Sequence, residues 1–259
     1  MKKLCLLLAV SMLFTATAFA QNEGRGNQRG QFQRPEANTL SEREKTAGFE
    51  LLFDGKTISP DIWQGAVDKY KVVDGTMVCD PGGNLLTKKE YKDFVLRFEF
   101  KLPPGGNNGV GIRTKTGVDA AYNGHEIQIL DDTADQYKNL LPYQYHGSIY
   151  RFVPAKKGSL RPVGQWNNET IIVYGNMVKV ICNGQEIVDA DMTDFISGDK
   201  KSLDPDHPHV FNETGVIGFL GHGDPVAFRN VKVKELKNEE EYKTYNQLRI
   251  RPNAGRTRQ

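Results

Sequence analysis

Asn123-Gly124-His125-Glu126-Ile127-Gln128-Ile129-Leu130-Asp131-Asp132 is the stretch from which the fold is read. Ile127 and Ile129 alternate with Glu126 and Gln128, which is the period of a strand with one apolar and one polar face, and Asp131 falls just past the strand end. Glu and Gln along one face offer fixed donors and acceptors, the chemistry that a hydroxyl-rich ligand requires. Taken alone, the same alternation also describes an ordinary strand with one solvated face. The flanking segments decide between the two.

Outward from this strand the chain reads as short runs punctuated by turn residues. Strands are predicted at 50–53, 70–73, 76–79, 94–102, 109–114 and 126–130, and then at 148–152, 169–174, 177–182, 185–191, 215–220 and 227–236. Asp74-Gly75, Gly175-Asn176 and Asn183-Gly184 lie between paired runs, where a hairpin needs φ above zero. Many strands with tight turns and no helix-strand alternation predict an all-β, antiparallel two-sheet sandwich. Short helices are expected at each end, one capped by Thr39 or Ser41 and running to Lys45, the other at 238–248. Two connections, 131–147 and 191–213, exceed ordinary length and are expected to be binding loops or lids.

Lys2 and Lys3, the apolar run 4–13 and Ala18-Phe19-Ala20 have the order of a cleavable secretory signal, so the expectation is export to the periplasm or medium with cleavage after Ala20. Residues 21–38 read as a disordered tether, 39–236 as the sandwich, and 237–259 as a helix and basic tail. Loss of Lys2 and Lys3 from the 34 basic residues leaves 32 against 32 acidic ones. This balance argues against nucleic acid or an anionic membrane surface as a partner, and no other apolar run has the length of a membrane span. No pattern selects an oligomeric state. An oxidising compartment permits Cys79 and Cys182 to pair, but a domain of this size buries an adequate core without a staple, so two buried free thiols are the favoured expectation and a bridge stays open.

Arg113 alternates away from Val110 and Ile112, so it is expected on the Glu126 face as charge partner of that carboxylate or as a substrate contact. His146 and His222 each sit beside glycine, where backbone can approach a ligand closely and an imidazole is not expected inside an apolar core. His222, at a strand end before a turn, is the better candidate. His125 points away from Glu126 and is expected to be structural. His207 and His209 are expected in an exposed loop, and Trp166 as a buried anchor at a strand edge.

The ordered set Leu52-Phe53-Asp54-Gly55-Lys56, Tyr91-Lys92-Asp93-Phe94, Asn108-Gly109-Val110-Gly111-Ile112-Arg113, Gly124-His125-Glu126-Ile127-Gln128-Ile129-Leu130-Asp131, Gly147-Ser148-Ile149-Tyr150, Gln165-Trp166-Asn167, Asn183-Gly184, Gly221-His222-Gly223 and Phe228-Arg229-Asn230 resembles the bacterial 3-keto-disaccharide hydrolase family over about residues 48–236. The resemblance implies a concanavalin-A-like jelly roll. It also implies cleavage of 3-keto-glycosides by elimination and hydration, as 3-keto-α-glucoside 1,2-lyases and 3-keto-2-hydroxyglucal hydratases do. Two positions depart from the family pattern, with Leu220 where Gln is usual and Gln165 where Glu is usual.

For that chemistry the expected roles are Glu126 as base or metal ligand, Arg113 as charge partner or oxyanion stabiliser, and His222 as acid or metal ligand. Asn108, Gln128, Asp131, His146 and Tyr150 are expected to position sugar hydroxyls. No spacing demands a cofactor. A divalent cation held by Glu126 and His222 would polarise the C3 ketone. The competing classes are an ordinary glucanase-type hydrolase, which needs two carboxylates across the scissile bond, and a noncatalytic carbohydrate-binding module.

Overall fold

The computed structural model describes residues 36–199 and 201–247. The expected signal, the tether as far as Pro35 and the basic tail lie outside the described residues. The strands are β1 (Glu50–Leu51), β2 (Trp63–Gly65), β3 (Tyr70–Val73), β4 (Thr76–Cys79), β5 (Gly83–Tyr91), β6 (Phe94–Lys101), β7 (Asn107–Thr114), β8 (His125–Leu130), β9 (Trp166–Tyr174), β10 (Met177–Cys182), β11 (Gln185–Asp191), β12 (Gly215–Gly221) and β13 (Ala227–Glu235). One antiparallel sheet runs β11-β10-β9-β6-β13-β4-β3 with β1 added on β13, and the other runs β2-β5-β12-β7-β8. This is the antiparallel two-sheet sandwich that the alternation predicts and the jelly roll that the resemblance implies.

Between the sheets, side chains from alternate positions interdigitate. Phe94, Leu96, Phe98 and Phe100 of β6 face inward and meet Phe219 and Phe228, whose rings stack at 3.9 Å. Helix α1 (Glu42–Ala47) starts at Ser41, whose hydroxyl accepts from the Glu44 amide while the Glu44 carboxylate accepts from the Ser41 amide. Helix α2 (Glu239–Asn246) is capped by Asn238, and Tyr245 packs its edge against Phe49. Cys79 and Cys182 are buried and free.

Several expectations need correction. Strands β2 and β5 are additional; Leu85 and Leu86 run into Thr87-Lys88-Lys89-Glu90 without alternation, and only pairing to β2 and β12 makes that run a strand. The predicted strand at 148–152 is instead an irregular turn, carrying only isolated bridges from Ile149 to Ile127 and Val153. Asn38, assigned to the tether, is buried and exchanges hydrogen bonds with Asn230. Trp166 is only partly buried and lies outside the core, its ring carrying the Arg229 guanidinium at 4.0 Å and the Lys101 ammonium at 5.1 Å. His207 is buried rather than exposed, stacked 4.5 Å from Tyr122 and edge-on to Phe152 at 5.2 Å.

Candidate functional site

Strands β7 and β8 build the site because their register opposes side chains to empty space. Gly111 pairs with Glu126 and Gly109 with Gln128, while Ile127 and Ile129 point to the core. With no side chain on Gly109, the Glu126 carboxylate lies across that backbone; a Cβ there would meet Oε1 at 1.9 Å and Cγ and Cδ at 2.7 Å. His222, one residue past the end of β12, brings Nε2 to 3.6 Å from Glu126 Oε1. That separation is an ion-pair contact longer than a hydrogen bond. The Glu126 carboxylate is the main influence raising the His222 pKa above the ordinary imidazole value, burial opposes it, and Asp224 and Asp119 add to the rise.

The pair stands in a cleft of about 240 Å³ lined by Asn107, Asp119, Ala121, Tyr122, Glu126, Gln128, Leu130, Tyr137, Leu140, Gln144, Tyr150 and His222. Three acceptors on its wall, Asn107 Oδ1, Glu126 Oε1 and Gln128 Oε1, are buried and lack hydrogen-bond partners. Buried acceptors left open in this way call for donors from a ligand. Tyr122, Tyr137 and Tyr150 give the cleft flat aromatic surfaces suited to the apolar faces of a sugar ring. The connection 131–147 contributes Tyr137, Leu140 and Gln144. The second long connection contributes none of these lining residues, but its His207 stacks on Tyr122 of the wall, and its Asp204 and Asp206 hold Arg151 at 3.3 and 3.0 Å.

The structure thus brings together Glu126, Gln128, Tyr150 and His222. It does not bring Arg113, Asp131, His146 or Asn108 to them. Arg113 has φ of +51°, which ends the alternation of β7 and turns its guanidinium away from Glu126. There it pairs with Asp93 at 3.0 Å and donates to the carbonyls of Lys92 and Gly175. Asp131 ties down a loop by accepting from the Gly105 amide and from the Thr133 amide and hydroxyl.

Asn108 shares the inward face of Val110 and is wholly buried, its amide oxygen accepting from Gly109 N–H. Its neighbour Asn107 is the one that faces the cleft. His146 is packed into the core 5.2 Å from the Phe100 ring, where burial pushes its pKa down to about 3. His125 is likewise interior and lowered to about 3 by burial. Leu220 does not line the cleft; it packs with Leu86, Ala120 and Val216 and fills the space above Gly111.

Sequence reasoning missed Asn107, Asp119, Tyr122, Tyr137 and Gln144. For Asn107 the signal was present, since counting back from the inward Val110 by twos puts Asn108 inside and Asn107 outside. The other four sit on irregular connections, where no period exists to assign a face.

The family model for a 3-keto-alpha-glucoside-1,2-lyase-like domain matches residues 48–234. A 3-keto-disaccharide hydrolase from Bacteroides thetaiotaomicron is 29% identical over 231 residues, spanning 73% of this chain and 79% of that protein. Among solved structures, a candidate glycosyl hydrolase from Parabacteroides distasonis is 26% identical with a TM-score of 0.67, covering 78% of this chain and 100% of its own. A second one from the same organism is 30% identical with a TM-score of 0.61, covering 73% of this chain and 99% of its own.

Proposed function

The chain belongs to the 3-keto-alpha-glucoside-1,2-lyase-like family, and from that membership and the Glu126–His222 contact we propose that it cleaves 3-keto-glycosides by elimination followed by hydration. The observation that carries the proposal is one buried carboxylate with an open oxygen, held 3.6 Å from an imidazole whose pKa is raised. A ketone at C3 acidifies the proton on C2. Glu126 takes that proton, the electron pair delocalises onto the C3 oxygen and then returns to expel the C1 substituent, and the His222 imidazolium gives its proton to the departing oxygen. Water then adds across C1 and C2 of the enone, so the net change is hydrolysis of the glycosidic bond. Gln128 and Tyr150 supply neutral donors for the sugar oxygens.

A divalent cation at Glu126 and His222 would supply Lewis-acid polarisation of the ketone. The donor set fits it poorly, because among the described residues no third His, Cys, Asp or Glu ligand atom joins these two within 4.8 Å. Proton transfer by the pair itself is therefore the preferred route. The glucanase-type reading, in which Glu126 and Asp131 would flank the bond, loses Asp131 to its loop; Asp119 is the remaining carboxylate on the cleft wall.

The deciding experiment compares 3-keto-glycosides with their unoxidised parents, using substrates deuterated at C2. Elimination predicts turnover confined to the 3-keto substrates, loss of C2 deuterium to solvent, and failure of both in Glu126→Gln with sugar binding retained. Equal turnover of parent and 3-keto substrates, with the label kept, would overturn the proposal and favour direct displacement.

A further inference from the structure

Glu169 and Cys182 are cross-strand partners on β9 and β10, and both point into the sandwich between Phe98, Ile171 and Val180. The carboxylate there stands among apolar side chains. His146 reaches the same spot from the opposite sheet's loop, with Nε2 at 3.3 Å from Glu169 Oε2. Its approach is fixed on both sides. The His146 amide donates to Asp132 Oδ1, and the next amide, of Gly147, donates to the Gln128 carbonyl. Gly147 itself has φ of +77° and no room for a side chain, because a Cβ would fall 2.2 Å from Ile187 Cδ1.

Both ring nitrogens of His146 and both carboxylate oxygens of Glu169 are buried without a hydrogen-bond partner. One ligand atom each from His146, Glu169 and Cys182 lie within 4.8 Å of one another. We infer that His146, Glu169 and Cys182 form a structural site for a divalent transition-metal cation of the zinc class, separate from the cleft, that staples the cleft-bearing loop to the opposite sheet. Three observations support this assignment together. Imidazole nitrogen, thiolate sulfur and carboxylate oxygen are the donor types zinc takes, and bonds of about 2.0–2.3 Å in a tetrahedron put ligand atoms about 3.3–3.7 Å apart, so the 3.3 Å contact already matches an edge. A thiolate and a carboxylate cancel a double positive charge, which suits a layer where a net charge is costly. The ion also gives one His146 ring nitrogen and one Glu169 oxygen a partner that each otherwise lacks.

The placement states what the site does. His146 lies between Gln144 and Tyr150, which line the cleft, while Glu169 and Cys182 belong to the other sheet. A bound ion therefore fixes the loop wall of the cleft from behind and takes no part in bond cleavage.

The test uses the full chain purified without added metal, with elemental analysis after gel filtration through chelating buffer. It continues with unfolding and refolding in excess Zn²⁺ or Co²⁺. Zinc near one ion per chain, a thiolate-to-cobalt charge-transfer band in the near ultraviolet, and a melting temperature raised by zinc are expected. Cys182→Ser should lose the band and the zinc, whereas Cys79→Ser and His222→Ala should keep both. If Cys182→Ser does not fold, the wild-type cobalt spectrum with the Cys79→Ser control still decides the point. Zinc at background after refolding in excess metal, no charge-transfer band and an unchanged melting temperature would overturn the inference and assign the cluster to a neutral hydrogen-bonded pair of Glu169 and His146. Zinc lost in His222→Ala but kept in Cys182→Ser would overturn it as well, by moving the ion to the cleft.

Discussion

Gly109→Ala is the substitution that separates the position of the Glu126 carboxylate from the stability of the sandwich. The added methyl would lie 1.9 Å from Oε1 and 2.7 Å from Cγ and Cδ, so the carboxylate must move by roughly 1 Å or more to restore ordinary contact. Backbone geometry does not resist the change, because Gly109 has no positive φ. Replacing glycine lowers unfolded-chain entropy by about 0.4–1 kcal/mol, and an off-rotamer Glu126 costs about 0.5–1.5 kcal/mol. The two nearly offset. The melting temperature should therefore fall by only a few degrees, at about 2–4 °C per kcal/mol for a chain of this size. A reacting group misplaced by about 1 Å costs on the order of 100-fold in rate, so kcat/KM on a 3-keto-glycoside should drop by about that factor. Gly111→Ala is the control, since the three atoms nearest its Cβ are Leu220 carbons at 3.2–3.5 Å rather than the Glu126 carboxylate. Calorimetry and steady-state kinetics on both variants supply the comparison. A folded Gly109→Ala protein with kcat/KM equal to that of Gly111→Ala would refute the reasoning that the carboxylate works from its seat on this glycine.

Arg113→Ala should cost about 3 kcal/mol, as for breaking a buried ion pair, and leave kcat per folded molecule unchanged, because its guanidinium serves Asp93, Lys92 and Gly175 rather than the cleft; lost turnover at full stability would reverse that assignment. The raised pKa of His222 means that the stability from its contact with Glu126 is fully present below the unfolded value near 6.5 and is lost as pH rises through the higher folded value. kcat/KM should fall on that same rise, and an NMR titration should show the His222 midpoint dropping in Glu126→Gln; an unmoved midpoint would separate the two residues. Trp166→Ala should cost about 1–2 kcal/mol, the sum of two partly exposed cation–π contacts with Arg229 and Lys101, and chemical denaturation would expose any larger value as a core role.

The sequence by itself determined the sandwich and the faces of its regular strands. The limits of β3, β4, β10 and β11 and the opposed faces of Glu126 and Ile127 follow from a two-residue period and from glycine or asparagine at the turns, both of which are local properties of the chain. The same period reached Glu126 and Gln128, and the glycine after β12 marked His222. Tertiary structure decided what locality cannot encode. A positive φ at Arg113 cancelled the alternation just where it was being used to reach Glu126. Cross-sheet packing drew His146 into the core beside Glu169, although its glycine neighbour suggested an accessible ligand group. Asp119, Tyr122, Tyr137 and Gln144 joined the cleft from connections that carry no period, because loop residues take their direction from what they pack against rather than from their place in a repeat.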